Sequence, residues 1–397
     1  MGRVAKLIMV TQLNNNKHYD MVEENGQINI TYGRVGQSTQ HTTYPTGRWD
    51  SLLKSKIKKG YKDVTELRIE DDYIDFQTIG DDTINQIVAE LQALANKSIQ
   101  RNYTVSSEAV TQKQVEEAQK LLDKLVKLSG QSKKLSVSNF NDILLDIYQV
   151  IPRRMRHVAD HLWNGSQDTK ILITNEQDTL DVMKGQVHVN TVKKDNTVED
   201  KKTILDALGL DIQITSPEDI KTIKKELGQI QDKYCRSYKI TNKRTQKRFD
   251  EWVEQVKNKE CKPFWHGSRS ENWWSILDGG LTLRPSNAVI TGKMFGYGLY
   301  FADKARKSYG YTSCQGSYWA RGNASKGFMS LYDVHLGNSY VSKHREHWMG
   351  SATEKSLKTQ GEFDSLTVLG GADLRNNEFI VYNENQCTIK YLVEVNG

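Results

Sequence analysis

Three short stretches in the last third of the chain carry residue types that could do chemistry together: His266-Gly267-Ser268, Gly298-Leu299-Tyr300-Phe301-Ala302 and Asn377-Glu378-Phe379-Ile380-Val381-Tyr382. In this order a histidine, a tyrosine and a glutamate are types that could act on the bond between a ribose and its leaving group. Breaking a bond between ribose and a leaving group develops positive charge on the sugar, much as in glycoside hydrolysis. A carboxylate stabilises that charge, and no metal is required. Taken singly, each fragment has an ordinary reading: a turn, a strand entry and a solvated strand glutamate. Their joint order and the apolar runs between them carry the weight.

The elements that must position this trio begin near Ile204. Leu210, Ile212 and Ile214 alternate with Asp211 and Gln213 as a half-buried strand, Asp219 to Ile230 has helical spacing, and Tyr238 to Ile240 starts another strand. After Asp250 the apolar runs are short and β-like, with one helix around Trp273 to Leu277. An α+β domain with packed antiparallel sheets is expected over residues 196–397. Upstream, residues 79–195 are expected to be an all-helical bundle. Its apolar stripes are Ile84, Ile87, Val88, Leu91 and Leu94, then Val115, Ala118, Leu121, Leu122 and Leu125, then Ile143, Leu144, Ile147 and Val150, stopped by Pro152. Glu176-Gln177-Asp178 has the acidic composition of a helix start before Leu180 and Met183, and residues 188–203 have that of a boundary loop. Residues 1–78 form the first domain. Short β-rich runs broken by Gly26, Gly33, Gly36 and Gly47 predict a small antiparallel sheet, and Trp49, Leu52, Leu53 and Ile57 predict a helix laid on it.

The formal charge of +6 is confined to one end. Residues 1 to 62 hold ten Lys or Arg against four Asp or Glu, leaving 45 against 45 in the remainder. Such a local field is the footprint of a phosphate-backbone binder, or simply of a solubilising surface. Four widely spaced cysteines, Cys235, Cys261, Cys314 and Cys387, support neither a disulfide framework nor a zinc site. There is no 18-residue apolar run and no signal-peptide core, so a soluble, intracellular chain is expected.

Tyr32-Gly33-Arg34-Val35-Gly36, followed by an aromatic-anchored helix ending in Lys58-Lys59-Gly60-Tyr61, resembles a WGR domain, a module that binds nucleic-acid ends. Tyr32 stands where that family has its name residue Trp. The resemblance implies Tyr32 and Arg34 at a DNA terminus, Arg34 as the phosphate ligand. Leu144-Leu145-Asp146-Ile147-Tyr148-Gln149-Val150-Ile151-Pro152 resembles the helical regulatory domain of DNA-dependent poly(ADP-ribose) polymerases, which hinders NAD entry until DNA is bound. The phrases KPFWHGSR, ILDGGL, TGKMFGYGLYFADKARKSYGY and NEFIVYNENQCTIKYLVEV closely resemble the catalytic domain of that family over about residues 204 to 397.

The resemblance implies NAD as substrate, no metal, and protein acceptors including the enzyme itself. It assigns Glu378 to the nicotinamide-side ribose and the acceptor, and His266 to the 2′-hydroxyl of the adenosine-side ribose. Ser268 belongs with His266 and Gly267 in the NAD-binding set. Gly267 would contact the nicotinamide carboxamide through its backbone, with the Ser308 hydroxyl beside it, while Tyr300 and Tyr311 sandwich the ring and Lys307 favours the ionised form of Glu378. This chain departs from the family at Thr282, commonly Arg, at Lys293, commonly aromatic, and at Asn376, commonly Tyr in polymer formers. The complete His-Tyr-Glu set favours a DNA-break-stimulated polymerase, in the nucleus of a eukaryote or the nucleoid and cytoplasm of a bacterium. The rivals are a mono-ADP-ribosyltransferase and a DNA-end scaffold with weak catalysis.

Overall fold

Asn25 and Gly26 both take positive φ, the requirement of a tight two-residue hairpin, and they join two strands at Glu24 and Gln27. From this hairpin the computed structural model builds an antiparallel sheet of β1 (Val4–Val10), β2 (Asn16–Glu24), β3 (Gln27–Arg34), β4 (Gln40–Pro45) and β5 (Lys62–Asp63), in the order β4-β3-β2-β1-β5. The structure describes residues 2–65, 75–105, 110–131, 135–194, 202–283, 294–296, 298–317 and 320–397. Helix α1 (Trp49–Lys58) buries Trp49 against Leu7, Met21, Ile28 and Ile30, whereas Ile57 at the end of its stripe is exposed.

The chain divides into two compact units. One comprises Met1–Asp72 and Asn96–Thr191, so the small sheet and most of the helical segment expected as a separate bundle pack as one body. The other comprises Tyr73–Ala95, Val192–Ala288 and Gly292–Gly397. The helices are α2 (Asp82–Asn102), α3 (Gln112–Ser129), α4 (Val137–Val150) and α5 (Thr169–Lys194). Thr111 and Gln114 close a capping box on α3, and Ser136 caps α4, each satisfying amide donors that a helix start leaves over.

Two readings change here. Glu176 does not open a helix: α5 begins seven residues earlier, and Glu176 lies buried inside it, paired with Arg153 at 2.8 Å. Residues 188–194 continue the same helix instead of a loop; 195–201 lie outside the described residues. Local composition suggested a terminus, and a tertiary partner decided otherwise.

In the second unit α6 (Ile204–Leu208) leads into β6 (Leu210–Ile214), followed by α7 (Pro217–Leu227), β7 (Tyr234–Asn242), α8 (Lys243–Gln255), β8 (Cys261–Gly267) and α9 (Trp273–Gly279). Then come β9 (Leu299–Phe301), α10 (Ala305–Tyr309), the two-residue strands β10 (Gly316–Ser317) and β11 (Ala320–Arg321), β12 (Lys326–His335), β13 (Ser339–Ser342), α11 (Glu354–Gly361), β14 (Ser365–Val368), β15 (Glu378–Val381) and β16 (Cys387–Asn396). Ile214, expected half-buried, is exposed, and the helix expected to run to Ile230 closes at Leu227 before a 3₁₀ turn.

The strands make two main sheets, β6-β7-β16-β12-β8 and β13-β14-β15-β9. All pairings but one are antiparallel. The exception is β13 with β14, which run parallel because α11 lies in the connection between them and returns the chain to the same end. Trp265, Trp273, Phe328 and Tyr332 are wholly buried in this unit, and the Phe264 and Phe379 rings stack at 4.2 Å between the sheets. Among the described residues no helix is long and apolar enough to cross a membrane.

Candidate active site

Gly298 determines how closely the two sheets' chemistry can be brought together. A Cβ there would overlap Cγ2 of Ile380 and lie 3.0 Å from the carbonyl oxygen of Val381, so only glycine lets β9 enter beside β15. In that register Tyr300 pairs with Ile380 and Phe301 with Phe379, which puts Glu378 at the strand end just past Phe301. Leu299 and Phe301 point into the core, and alternation leaves Tyr300 half-buried on the other face.

The Tyr300 phenol accepts the Phe295 N–H and donates to the Gly296 carbonyl, both at 3.0 Å. Burial, reinforced by the nearby Glu378 carboxylate, pushes its pKa far above the ordinary tyrosine value, so it acts as a neutral ring. His266 is the penultimate residue of β8, with Nδ1 3.0 Å from the Tyr300 carbonyl. A carbonyl only accepts, so Nδ1 carries the proton in this contact. Phe301, Tyr332 and Trp273 surround the imidazole edge to face at 5.9–6.3 Å and fix its plane.

Lys307 on α10 reaches Glu378 Oε1 at 2.5 Å and the Asn377 carbonyl at 3.1 Å. Burial lowers the Lys307 pKa, against the pull of Glu378 and Asp303 in the other direction. The pair needs protonated Lys307, so turnover is expected to fall as pH rises through a value below the ordinary lysine range. A profile of kcat/KM against pH checks this, and a flat alkaline side would remove the pair from the rate. The groups facing this centre are Glu378, Asp303 and the Tyr311 phenol, itself raised by burial and by Glu378.

Gly267 is set by contact. A Cβ on it would overlap the Ser308 carbonyl oxygen and lie 2.8 Å from its carbon, so β8 and α10 meet only because no side chain intervenes. Gly267→Ala is expected to cost about 1–3 kcal/mol, as overpacking does, and to weaken NAD binding by moving Ser308; thermal unfolding and NAD titration measure the two effects. The Ser308 hydroxyl is buried and donates to the Trp265 carbonyl at 3.0 Å, leaving its oxygen as an acceptor. Ser268 Oγ accepts from Asn272 Nδ2 at 3.1 Å, while Tyr311 is half exposed.

The structure thus brings together His266, Gly267, Ser268, Tyr300, Lys307, Ser308, Tyr311 and Glu378. Asn272, Asp303 and Asn377 join them without having been singled out; only the adjacency of Asn377 to Glu378 could have marked it. Thr282 is exposed, Asn376 is half-buried, and Lys293 lies outside the described residues. Among the described residues no three His, Cys, Asp or Glu side chains are grouped to hold a metal ion.

Tyr32 and Arg34 belong to the other unit. Tyr32 packs against that unit's core, its ring 5.9 Å from Tyr19. Arg34 donates to the Asn14 carbonyl at 2.9 Å, Asn14 Oδ1 at 3.0 Å and the Arg156 carbonyl at 3.1 Å, which ties β3 to the segment after α4.

Two facing sheets thus present His266, Tyr300 and the Lys307-paired Glu378 on adjoining strands. Residues 217–397 match the poly(ADP-ribose) polymerase catalytic domain. The chain is 35% identical over 199 residues to uncharacterized protein 101L of Invertebrate iridescent virus 6, covering 50% of this chain and 83% of that protein. It is 34% identical over 155 residues to poly [ADP-ribose] polymerase 2 of Homo sapiens, covering 33% of this chain and 26% of that one. With poly [ADP-ribose] polymerase of Sarcophaga peregrina it shares 27% identity over 336 residues, 72% of this chain and 31% of the fly protein. Residues 217–397 are therefore a poly(ADP-ribose) polymerase catalytic domain, related over that region to poly [ADP-ribose] polymerases.

Proposed function

We propose that this protein is a DNA-end-stimulated poly(ADP-ribose) polymerase that cleaves NAD at the nicotinamide-ribose bond and transfers ADP-ribose to protein acceptors, itself included, and to growing chains. The observation that carries the reading is Glu378 held 2.5 Å from Lys307 on the strand beside Tyr300. In this reading Glu378 stabilises the ribose cation and orients the acceptor hydroxyl, and His266 with Ser268 anchors the adenosine-side ribose. Gly267 and Ser308 hold the carboxamide, and Tyr300 and Tyr311 stack on the ring. No protein nucleophile is needed.

The first unit is the proposed nucleic-acid reader, on the strength of its excess positive charge. Tyr32 would stack at a strand end. Arg34, whose guanidinium has five N–H donors of which three go to protein oxygens, would use the remaining two for phosphate. The helices of the same unit are the proposed relay that restrains the enzyme until DNA is bound; such an enzyme would serve the DNA damage response, in the nucleus of a eukaryote or the cytoplasm and nucleoid of a bacterium.

The test is incubation with labelled NAD, with and without short DNA duplexes. A DNA-dependent smear of modified protein is expected. A single-step shift would favour mono-ADP-ribosylation, the rival that Asn376 supports, and equal labelling without DNA would remove the sensing role. Arg34→Ala is expected to weaken DNA binding and flatten its salt dependence; unchanged affinity and slope would take Arg34 out of the phosphate contacts.

A further inference from the structure

The β9 to β15 ladder ends one residue short of the catalytic glutamate. Phe301 pairs with Phe379, and then β9 turns away: Ala302 exchanges backbone hydrogen bonds with Trp265 at 2.8 and 2.9 Å. On the β9 side, therefore, the ladder does not hold Glu378 in place. A side-chain bridge stands at that point. Asp303 Oδ2 accepts from Asn377 Nδ2 at 2.6 Å, and Asn377 Oδ1 in turn accepts the Gly370 N–H at 2.8 Å. The Asn377 carbonyl receives Lys307 Nζ, whose other contact is Glu378 itself.

The circuit therefore runs from Asp303 through Asn377 to Glu378 and back through Lys307. Gly370 seats it from the far side, since a Cβ there would lie 2.9 Å from Cα of Asn376 and 2.9 Å from the Arg375 carbonyl oxygen. The second oxygen of Asp303, Oδ1, is buried and has no hydrogen-bond partner among the described residues. Such an arrangement is costly for a carboxylate, and the bridge to Asn377 needs only an acceptor oxygen, which a neutral amide also has. The negative charge has a use beside Lys307, which burial tends to discharge.

We propose that Asp303 is a positioning residue for the transferase: it fixes Glu378 through Asn377 where the strand ladder stops, and keeps Lys307 charged against its burial. The inference rests on the ADP-ribosyltransferase reading, and wild-type NAD turnover serves as the control that separates the two; a wild type without turnover refutes that reading, not the geometry.

Steady-state NAD turnover of the full chain tests it with two variants. Asp303→Ala removes bridge and charge, and is expected to lower kcat about ten- to a hundredfold, as a displaced catalytic group does, with KM for NAD within about twofold. Asp303→Asn keeps an acceptor for Asn377 and loses only the charge. It should restore kcat near neutral pH to within about threefold of wild type, while the alkaline limb moves to lower pH, because removing a negative neighbour lowers the Lys307 pKa. The charged groups around that lysine are Glu378 and Asp303, with Arg306 on its own helix and Lys304 at that helix's N-cap. Unchanged kcat in Asp303→Ala, a loss shared equally by Asp303→Asn, or an unshifted limb in Asp303→Asn would each overturn the proposal. Should Asp303→Ala fail to fold, the isosteric Asp303→Asn limb decides alone.

Discussion

Glu378→Gln is expected to lower ADP-ribosyl transfer about 10²- to 10³-fold, the loss typical when one preorganised electrostatic contact to a transition state is removed. Glutamine matches the shape of the carboxylate and keeps a hydrogen-bonding oxygen, so β15 and its register with β9 should survive. What disappears is the negative charge that, in the proposed mechanism, faces the ribose as nicotinamide leaves. Lys307, already pulled down by burial, also loses the partner that opposes that pull, so the centre loses its ion pair as well. NAD affinity should change little, since His266, Gly267 and Tyr300 are untouched. Slow NAD hydrolysis or single-step transfer should persist while chain extension stops. Polymer made by the variant at the wild-type rate would show that Glu378 does not have this role.

Arg153→Ala is expected to destabilise the first unit by about 3–5 kcal/mol, the range for stripping one partner from a buried ion pair. Arg153 and Glu176 keep only 6% and 11% of their side-chain surface, and their contact is 2.8 Å. Burial opposes the Arg153 charge, but Glu176, with the Tyr103 and Tyr148 phenols, more than offsets it and holds the guanidinium charged. The cation also lies 4.7 Å from the centre of the Tyr103 ring, and the single Tyr148 O–H is shared between the His161 carbonyl at 2.8 Å and Glu176 Oε1 at 3.3 Å. Removing the arginine leaves a carboxylate enclosed among rings and a hydroxyl. Replacing both members, Arg153→Met with Glu176→Leu, should cost much less, because no unpaired charge remains. Urea unfolding of the single and double variants compares them; equal losses would mean that shape, not charge, is what the pair contributes.

The placement of His266, Tyr300 and Glu378 on adjoining strands was legible in sequence because each sits in a strand whose apolar neighbours fix its face, and because glycines at 267 and 298 mark backbone approaches that any side chain would block. The amphipathic helices were legible for a similar reason: a stripe such as Ile143, Leu144, Ile147 and Val150 is buried throughout, and periodicity needs no tertiary knowledge. What failed was whatever depends on a distant partner. Glu176 has the composition of a helix start until Arg153 arrives from a separate segment. Asp303 and Asn377 are 74 residues apart, and no spacing rule joins them. The contacts of Arg34 were hidden for the same reason: the three carbonyl-type oxygens that decide where its guanidinium points come from Asn14 and Arg156. The parallel pairing of β13 with β14 depends on the path of a connection, which strand patterns do not encode.

The account stands on the claim that this chain transfers ADP-ribose from NAD, and one measurement addresses that directly. The purified protein is incubated with NAD labelled in its adenylate half, beside the Glu378→Gln variant, and protein-bound label is followed over time. Label should accumulate on the wild type with release of nicotinamide, and on the variant at a small fraction of that rate. Absence of label and of nicotinamide release from the wild type, with or without DNA ends, would contradict the account.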